Sequence, residues 1–231
     1  MPTENKPRFR AHGAAVFYFP VIMRIIEEHF PALEPQQLQS LARYAELLAD
    51  WNTRINLISR KDTENILPNH LLNALALSYL LTPTPGTQIL DIGSGGGIPG
   101  LVLGIIWPQA KITLLDSIGK KVNALEEMAG QLRLKNVRCV KGRAERHNKK
   151  YDFVTGRAVT RLSKLWPLVQ PLIHCHNRNS LRNGLFYLTG GDQTEEIKAS
   201  GAPRHKLYPL REKLSPPYYE TKLVVYLSNC R

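Results

Sequence analysis

The chain has little of several things that mark whole classes of protein. Three cysteines occur in 231 residues. Cys139, Cys175 and Cys230 show no paired spacing, so the sequence implies neither a disulfide framework nor a zinc site, and a reducing cytoplasm fits. His70, His147 and the stretch from His174 to His176 lack partners at metal-ligand spacing and read as packing or surface groups; no metal is expected. No apolar run is long enough to cross a bilayer. The nearest candidate, Ala14 to Met23, follows Arg8 and Arg10 as a signal-peptide core would. Pro20 interrupts it, and Arg24, Glu27 and Glu28 follow without a small-residue cleavage site. It reads as a buried or docking segment. Internal repeats, low-complexity tracts and Gly/Ser-rich linkers are missing too. One domain is expected, with residues 14–82 as a helical extension and 87–231 as the catalytic core, and no oligomer is implied beyond a monomer. Acidic residues are few: 19 Asp and Glu stand against 31 Lys and Arg, for a net charge of +12. That excess points to a polyanionic partner, and without a membrane span the partner is nucleic acid.

What is present concentrates between Ile89 and Gly100, ILDIGSGGGIPG. An apolar run ends in Asp91, a glycine cluster follows, and Pro99 opens a new apolar segment at a position where a missing N–H costs nothing. The order is strand, tight turn, helix start, which is the shape of a nucleotide-type cradle. Charge decides between cofactors. A dinucleotide would set its pyrophosphate on the helix N-terminus, where a neighbouring carboxylate repels it. Asp91 would instead attract an ammonium or sulfonium centre. No Gly-Lys-Ser/Thr follows the loop, so the phosphate-binding alternative fails as well. S-adenosylmethionine, cationic and free of phosphate, fits. Asp116 ends the next apolar run, KITLLD, where an acid can accept both ribose hydroxyls; capping the helix that starts near Gly119 is its structural alternative.

Helical periodicity covers Val16 to His29, a stretch from Pro35 with Leu38, Leu41, Ala45, Leu48 and Trp51 on one face, and Thr63 to Leu81. Beyond Gly86, strands alternate with helices: Leu101 to Trp107, Lys120 to Leu132 and Leu162 to His174 are helical, while Val137 to Val140, Tyr151 to Thr155, Gly184 to Thr189, Lys206 to Leu210 and Lys222 to Leu227 are strands. This predicts an α/β, doubly wound, mostly parallel sheet with an antiparallel C-terminal pair at its edge. Ser215 to Tyr218, SPPY, resembles a base-gripping motif but lies far from the fourth strand and reads as a turn.

LDIGSGGGIPG, LLDSIGKKV (Leu114 to Val122), GRAE (Gly142 to Glu145), GRA (Gly156 to Ala158), WNTRINLIS (Trp51 to Ser59) and NHLLNAL together resemble the RsmG family, also called GidB. The resemblance runs from about residue 35 to the C-terminus. It implies a Rossmann-like class I methyltransferase fold and S-adenosylmethionine-dependent formation of 7-methylguanosine in bacterial small-subunit ribosomal RNA. It also implies site roles. Gly93 and Ile98 contact the cofactor, Asp116 holds the ribose, and Ala144 and Glu145 lie at the adenine. Arg157 stands beside the cofactor and Lys120 near the RNA approach. Asn69, Asn73 and Thr189 depart from the family's usual arginine, aspartate and lysine.

Guanine N7 has a lone pair and no proton to lose, so transfer to it needs alignment rather than a base. Arg157 is then a positioning group or phosphate clamp, with an ion pair to Asp152 or Glu145 as its structural alternative. Basic residues from Lys135 to Lys150, and Arg161 and Lys164, frame the mouth expected at the C-terminal strand ends. Two other readings share this sequence: a methyltransferase for another substrate, and an RNA-binding or ribosome-assembly protein of this fold without turnover.

Overall fold

The computed structural model describes residues 23–59, 66–214 and 217–230. The segment from Ala14 and the first helical pattern fall largely outside these; residues 23–29 are helical. Helix α1 (Pro35–Arg54) begins with proline in its first turn, and the Gln37 side chain accepts the Glu34 N–H at 2.9 Å in a capping box. Its apolar face buries Leu41, Tyr44, Leu47 and Leu48. The third helical pattern is less regular than its spacing suggests. A π turn (Ile66–Leu71) leads into the short α2 (Leu72–Leu75) and a 3-10 turn (Ala76–Tyr79). Wide turns of this kind often mark functional sites.

Seven strands follow: β1 (Gln88–Ile92), β2 (Lys111–Asp116), β3 (Val137–Lys141), β4 (Phe153–Arg157), β5 (Gly184–Gly190), β6 (Arg204–Pro209) and β7 (Lys222–Ser228), in the order β3-β2-β1-β4-β5-β7-β6. The first five are mutually parallel. β7 runs antiparallel to both neighbours. The expected antiparallel pair is there, but only β6 lies at the edge. A helix that periodicity does not reveal, Thr194–Ser200, carries the chain outward before β6, and β7 fills the slot left beside β5. Burial follows: Val224, Val225 and Leu227 are fully buried, whereas the charged start of β6 is exposed, as suits an edge strand.

Helices α3 (Gly100–Ile106), α4 (Gly119–Gln131), α5 (Leu162–Val169) and α6 (Thr194–Ser200) cover the sheet. α5 stops short of the expected His174, giving way to a 3-10 turn at Gln170–Leu172. Pro171 has no N–H with which to continue the helical ladder. Alternate strand residues face two cores. Ile89, Ile112, Phe153 and Phe186 pack with α1, α2, α3 and α4 on one side; Leu90, Leu115, Val154 and Leu185 pack with α5 and α6 on the other. The N-terminal helices therefore share one continuous core with the sheet.

The cysteine reading is corrected here. Cys175 and Cys230 form a disulfide across 55 residues, with Cα atoms 5.2 Å apart. Antiparallel pairing of Leu185 with Leu227 sets the entry to β5 beside the exit of β7. Sequence spacing carries no trace of that proximity. Cys139 is a free thiol.

Candidate active site

β1 ends at Ile92 and the chain turns over the glycines toward α3. Gly93 has φ +62°, in the region that favours glycine, and a Cβ there would lie 3.1 Å from Val159 Cγ2. Gly96 is held close for another reason: α1 leans on the loop, and a Cβ would lie 2.8 Å from Leu48 Cδ1, so that side chain would have to shift. Tyr44 on the same helix is wholly buried and donates its hydroxyl to Gly96 O at 2.7 Å. The N-terminal helix thus holds the cradle in shape.

Asp91 sits below the loop with no exposed surface. Thr155 donates to its Oδ1 at 3.0 Å and the Gly100 N–H to its Oδ2 at 3.2 Å. Burial pushes its pKa up to about 7, against the opposite pull of hydrogen bonds from Thr155, Ser94 and Gly100 and the charge of Arg157. The carboxylate expected to face a cationic ligand builds the loop and does not line the cavity above it. Ile98 is likewise packed into the core, 5% exposed. An apolar side chain is better hidden in that core than at the ligand surface.

Above the loop lies a cavity of about 430 Å³ lined by Gly93, Asp116, Ser117, Gly142, Ala144, Glu145, Val159 and Lys164, among others. Asp116 is 6% exposed. Its Oδ2 accepts the Gly95 N–H at 2.9 Å and its Oδ1 the Ile118 N–H at 2.9 Å. Each oxygen keeps a lone pair for a further donor, as a vicinal diol would need. The capping alternative is not what the helix uses, since α4 starts from Ile118 without a side-chain cap. Ala144 and Glu145 open a 3-10 turn just after β3.

A second cavity, about 260 Å³, is lined by His70, Asn73, Arg157, Ala158, Tyr187, Thr189, Tyr218 and Lys222, among others. Ala158 adopts φ +52°, a left-handed conformation costly for an L residue, and separates Arg157 at this cavity from Val159 at the first. The Arg157 guanidinium donates to His70 Nδ1. Arginine can only donate, so Nδ1 carries no proton and the imidazole is neutral. Burial, and then the charge of Arg157, lowers the His70 pKa to about 3. Tyr187 donates to Thr160 O at 2.6 Å, tying β5 to the loop between the cavities. Lys222 Nζ lies 4.7 Å from the Tyr218 ring centroid.

The alternative pairing of Arg157 with Asp152 does not occur. Asp152 lies at the other end of the strand, bonded to the Gln88 N–H at 2.8 Å and close to His174 and Arg178. Lys120 is exposed on the first turn of α4 and lines neither cavity. Asn73 and Thr189, two of the departures from the family pattern, share the second cavity, while Asn69 lies in the π turn. Residues Ser215 and Pro216 of SPPY are outside the described chain; Pro217–Tyr219 is a 3-10 turn, yet Tyr218 reaches the second cavity. His70, Tyr187, Tyr218 and Lys222 have no signal in spacing. Register brings the last of them in, by pairing Lys222 with Gly190 across β7 and β5.

The strand order with a reversed seventh strand, together with a glycine turn and an acid ending the next strand, defines a Rossmann-like class I methyltransferase fold. A mutant of MtNAS in complex with S-adenosylmethionine superposes with a TM-score of 0.58, over 92% of this chain and 84% of that one, at 12% identity. A SAM dependent methyltransferase from Aquifex aeolicus gives 0.51 over 71% and 92%, at 16% identity. At these identities the likeness is one of fold. The family is set by sequence: residues 37–202 match GidB, rRNA small subunit methyltransferase G. Proteins named Ribosomal RNA small subunit methyltransferase G are 39% identical over 205 residues in Cytophaga hutchinsonii, covering 89% of this chain and 99% of that one, and 41% identical over 211 residues in Porphyromonas gingivalis, covering 90% and 94%. The chain belongs to this family.

Proposed function

We propose that the protein methylates guanine N7 in small-subunit ribosomal RNA, with S-adenosylmethionine in the first cavity and the target base in the second. It acts as a single-domain monomer in the cytoplasm, a compartment that would hold the Cys175–Cys230 pair reduced. The observation that carries this reading is the pair of cavities flanking Ala158, one with a buried ribose-type acid and one rimmed by cations. When bound, S-adenosylmethionine supplies an electrophilic methyl group on a cationic sulfur. Gly93 lets the ligand approach the main chain, Asp116 receives the ribose hydroxyls, and Ala144 and Glu145 border the adenine. Asp91 and Ile98 serve the cofactor indirectly, by holding the loop. Arg157 positions the base or clamps a phosphate, and neutral His70 orients its guanidinium. No proton has to be removed, so orientation carries the reaction. Lys120 and the cations Lys141, Arg143 and Arg146 meet the RNA backbone; Lys135, Arg138 and Lys149, expected at the same mouth, instead line a cavity with Lys111 and Ile112 at the starts of the strands. Affinity for RNA should therefore fall steeply with salt.

The test is tritiated methyl transfer to small subunits from cells lacking this gene, followed by nucleoside analysis. Label in 7-methylguanosine is the expected result; label elsewhere, or none, overturns it. Calorimetric titration with S-adenosylmethionine separates loss of cofactor binding from choice of another substrate.

A further inference from the structure

We infer that the protein holds a second segment of its substrate RNA at the opposite end of the sheet from the active site, where a cationic cavity at the starts of the strands grips the phosphate backbone of a helical stretch. The inference takes its ligand from the proposed function and adds a contact remote from the target base.

The cavity measures about 840 Å³ and is lined by Lys111, Arg133, Lys135, Arg138 and Lys149, with one acid, Glu34. All five cations are exposed, and none of them is in an ion pair among the described residues. The cofactor cavity, by contrast, sets Arg143 and Lys164 against Asp116 and Glu145. Lys111 and Asp116 are the two ends of β2, about 17 Å apart at ~3.3 Å per residue. A phosphate held at Lys111 is therefore beyond the target nucleotide itself.

Two details favour a ligand over a structural use of these charges. Cations can serve the carbonyls at helix ends, but the last carbonyls of α3 are already taken. Gln37 donates to Ile105 O and Ile106 O at 3.2 and 3.1 Å, and Asn136 to Gly104 O and Trp107 O at 3.0 and 3.2 Å. Arg133 follows α4 at the position where a left-handed glycine usually ends a helix, with φ +54°. A long cation is kept there at a conformational cost that glycine would remove.

The lining also selects the kind of anion. It contains no aromatic side chain, so an unstacked base of single-stranded RNA has no platform. The exposed large apolar groups among the described residues, Tyr79, Ile118, Val159 and Leu207, lie outside it, so nothing is offered to a lipid layer. Exposed cations drawn from three connections of the chain suit the repeated phosphates of a duplex, bound without regard to sequence.

The test compares the full-length wild type with Lys111→Gln/Arg133→Gln/Lys135→Gln, and with Lys198→Gln/Lys206→Gln/Arg211→Gln, which removes the same charge from the stretch around β6 at the far edge of the sheet. Kd is measured over a salt series for small subunits from cells lacking this gene. The first variant should bind about tenfold or more weakly, with the slope of log Kd against log salt reduced by about 2. Its Kd for S-adenosylmethionine and its kcat at saturating subunits should not change, and the second variant should bind subunits as the wild type does. An RNA duplex of unrelated sequence should show the same difference between wild type and first variant. Arg133→Gly should raise the urea midpoint yet weaken subunit binding about fourfold at about 0.15 M salt, a split that a purely structural arginine would not give. The inference is overturned if the first variant keeps the wild-type Kd and slope, if the second loses as much, if a single strand and not a duplex shows the difference, or if only binding to phosphatidylglycerol vesicles is lost. Binding is read apart from catalysis: subunits that the wild type binds through these cations but leaves without 7-methylguanosine overturn the proposed function and leave this surface in place.

Discussion

Asp116 joins loop construction to cofactor binding, and replacing it with asparagine separates the two roles. Its oxygens each hold one main-chain N–H at 2.9 Å, from Gly95 and from Ile118. An amide offers one oxygen and one NH2, so in Asp116→Asn one of those N–H groups faces another donor. Losing a hydrogen bond to a charged group costs about 1.5–3 kcal/mol, and the folded state should weaken by that amount. Ribose hydroxyls that use the remaining lone pairs lose charge-assisted bonds of the same kind. A further loss of about 1.5–3 kcal/mol on binding corresponds to roughly a 10- to 150-fold rise in Kd. Urea unfolding measures the first quantity and calorimetric titration with S-adenosylmethionine the second. If stability falls while Kd stays within about threefold of the wild type, Asp116 is a loop brace alone and the ribose assignment is wrong.

Tyr44→Phe removes the 2.7 Å bond to Gly96 O and leaves that buried carbonyl unpaired, so unfolding should require about 1–3 kcal/mol less; an unchanged urea midpoint refutes the buttress. His70 titrates near 3 in the fold against 6.5 when exposed, so the unfolded chain binds more protons in that window and stability declines as pH falls through it. Asp91 titrates near 7 against 3.8, so the folded chain binds more protons there and stability declines as pH rises. The two effects oppose each other where the windows overlap. His70→Gln removes the first, and between about pH 6.5 and 5 the variant should gain about 2 kcal/mol relative to the wild type. Denaturant midpoints at each pH check this, and a constant difference refutes the neutral imidazole. Reducing the Cys175–Cys230 bond opens a 55-residue loop, which should lower stability by about 4 kcal/mol and the melting temperature with it. Cofactor affinity should not change, because the bond joins the entry to β5 and the exit of β7 while the first cavity opens at the strands' other ends; a melting temperature indifferent to reductant refutes the clasp.

Much of this molecule is legible residue by residue. The alternation of strands and helices, the glycine turn and the acid at the end of β2 follow from patterns spanning a few neighbours, and a strand, a tight turn or a helix cap is itself decided over that distance. Asp91 is legible as a residue of the turn but not in its role, because burial beneath the loop depends on what packs over it. Thr194–Ser200 escapes periodicity, being a short and largely exposed helix with only Ile197 and Ser200 buried.

By itself, then, the sequence determined the mostly parallel α/β class, the position of the cradle and the ribose-type acid, since hydrophobic periodicity and backbone freedom are local properties. Tertiary structure alone decided that β7 slides between β5 and β6, and with it that Cys175 meets Cys230 and that Lys222 and Tyr218 join His70, Asn73 and Arg157 around one cavity. Those groups come from segments far apart in the chain. What brings them together is strand pairing and the burial of apolar faces summed over the whole sheet, which no short stretch of residues encodes.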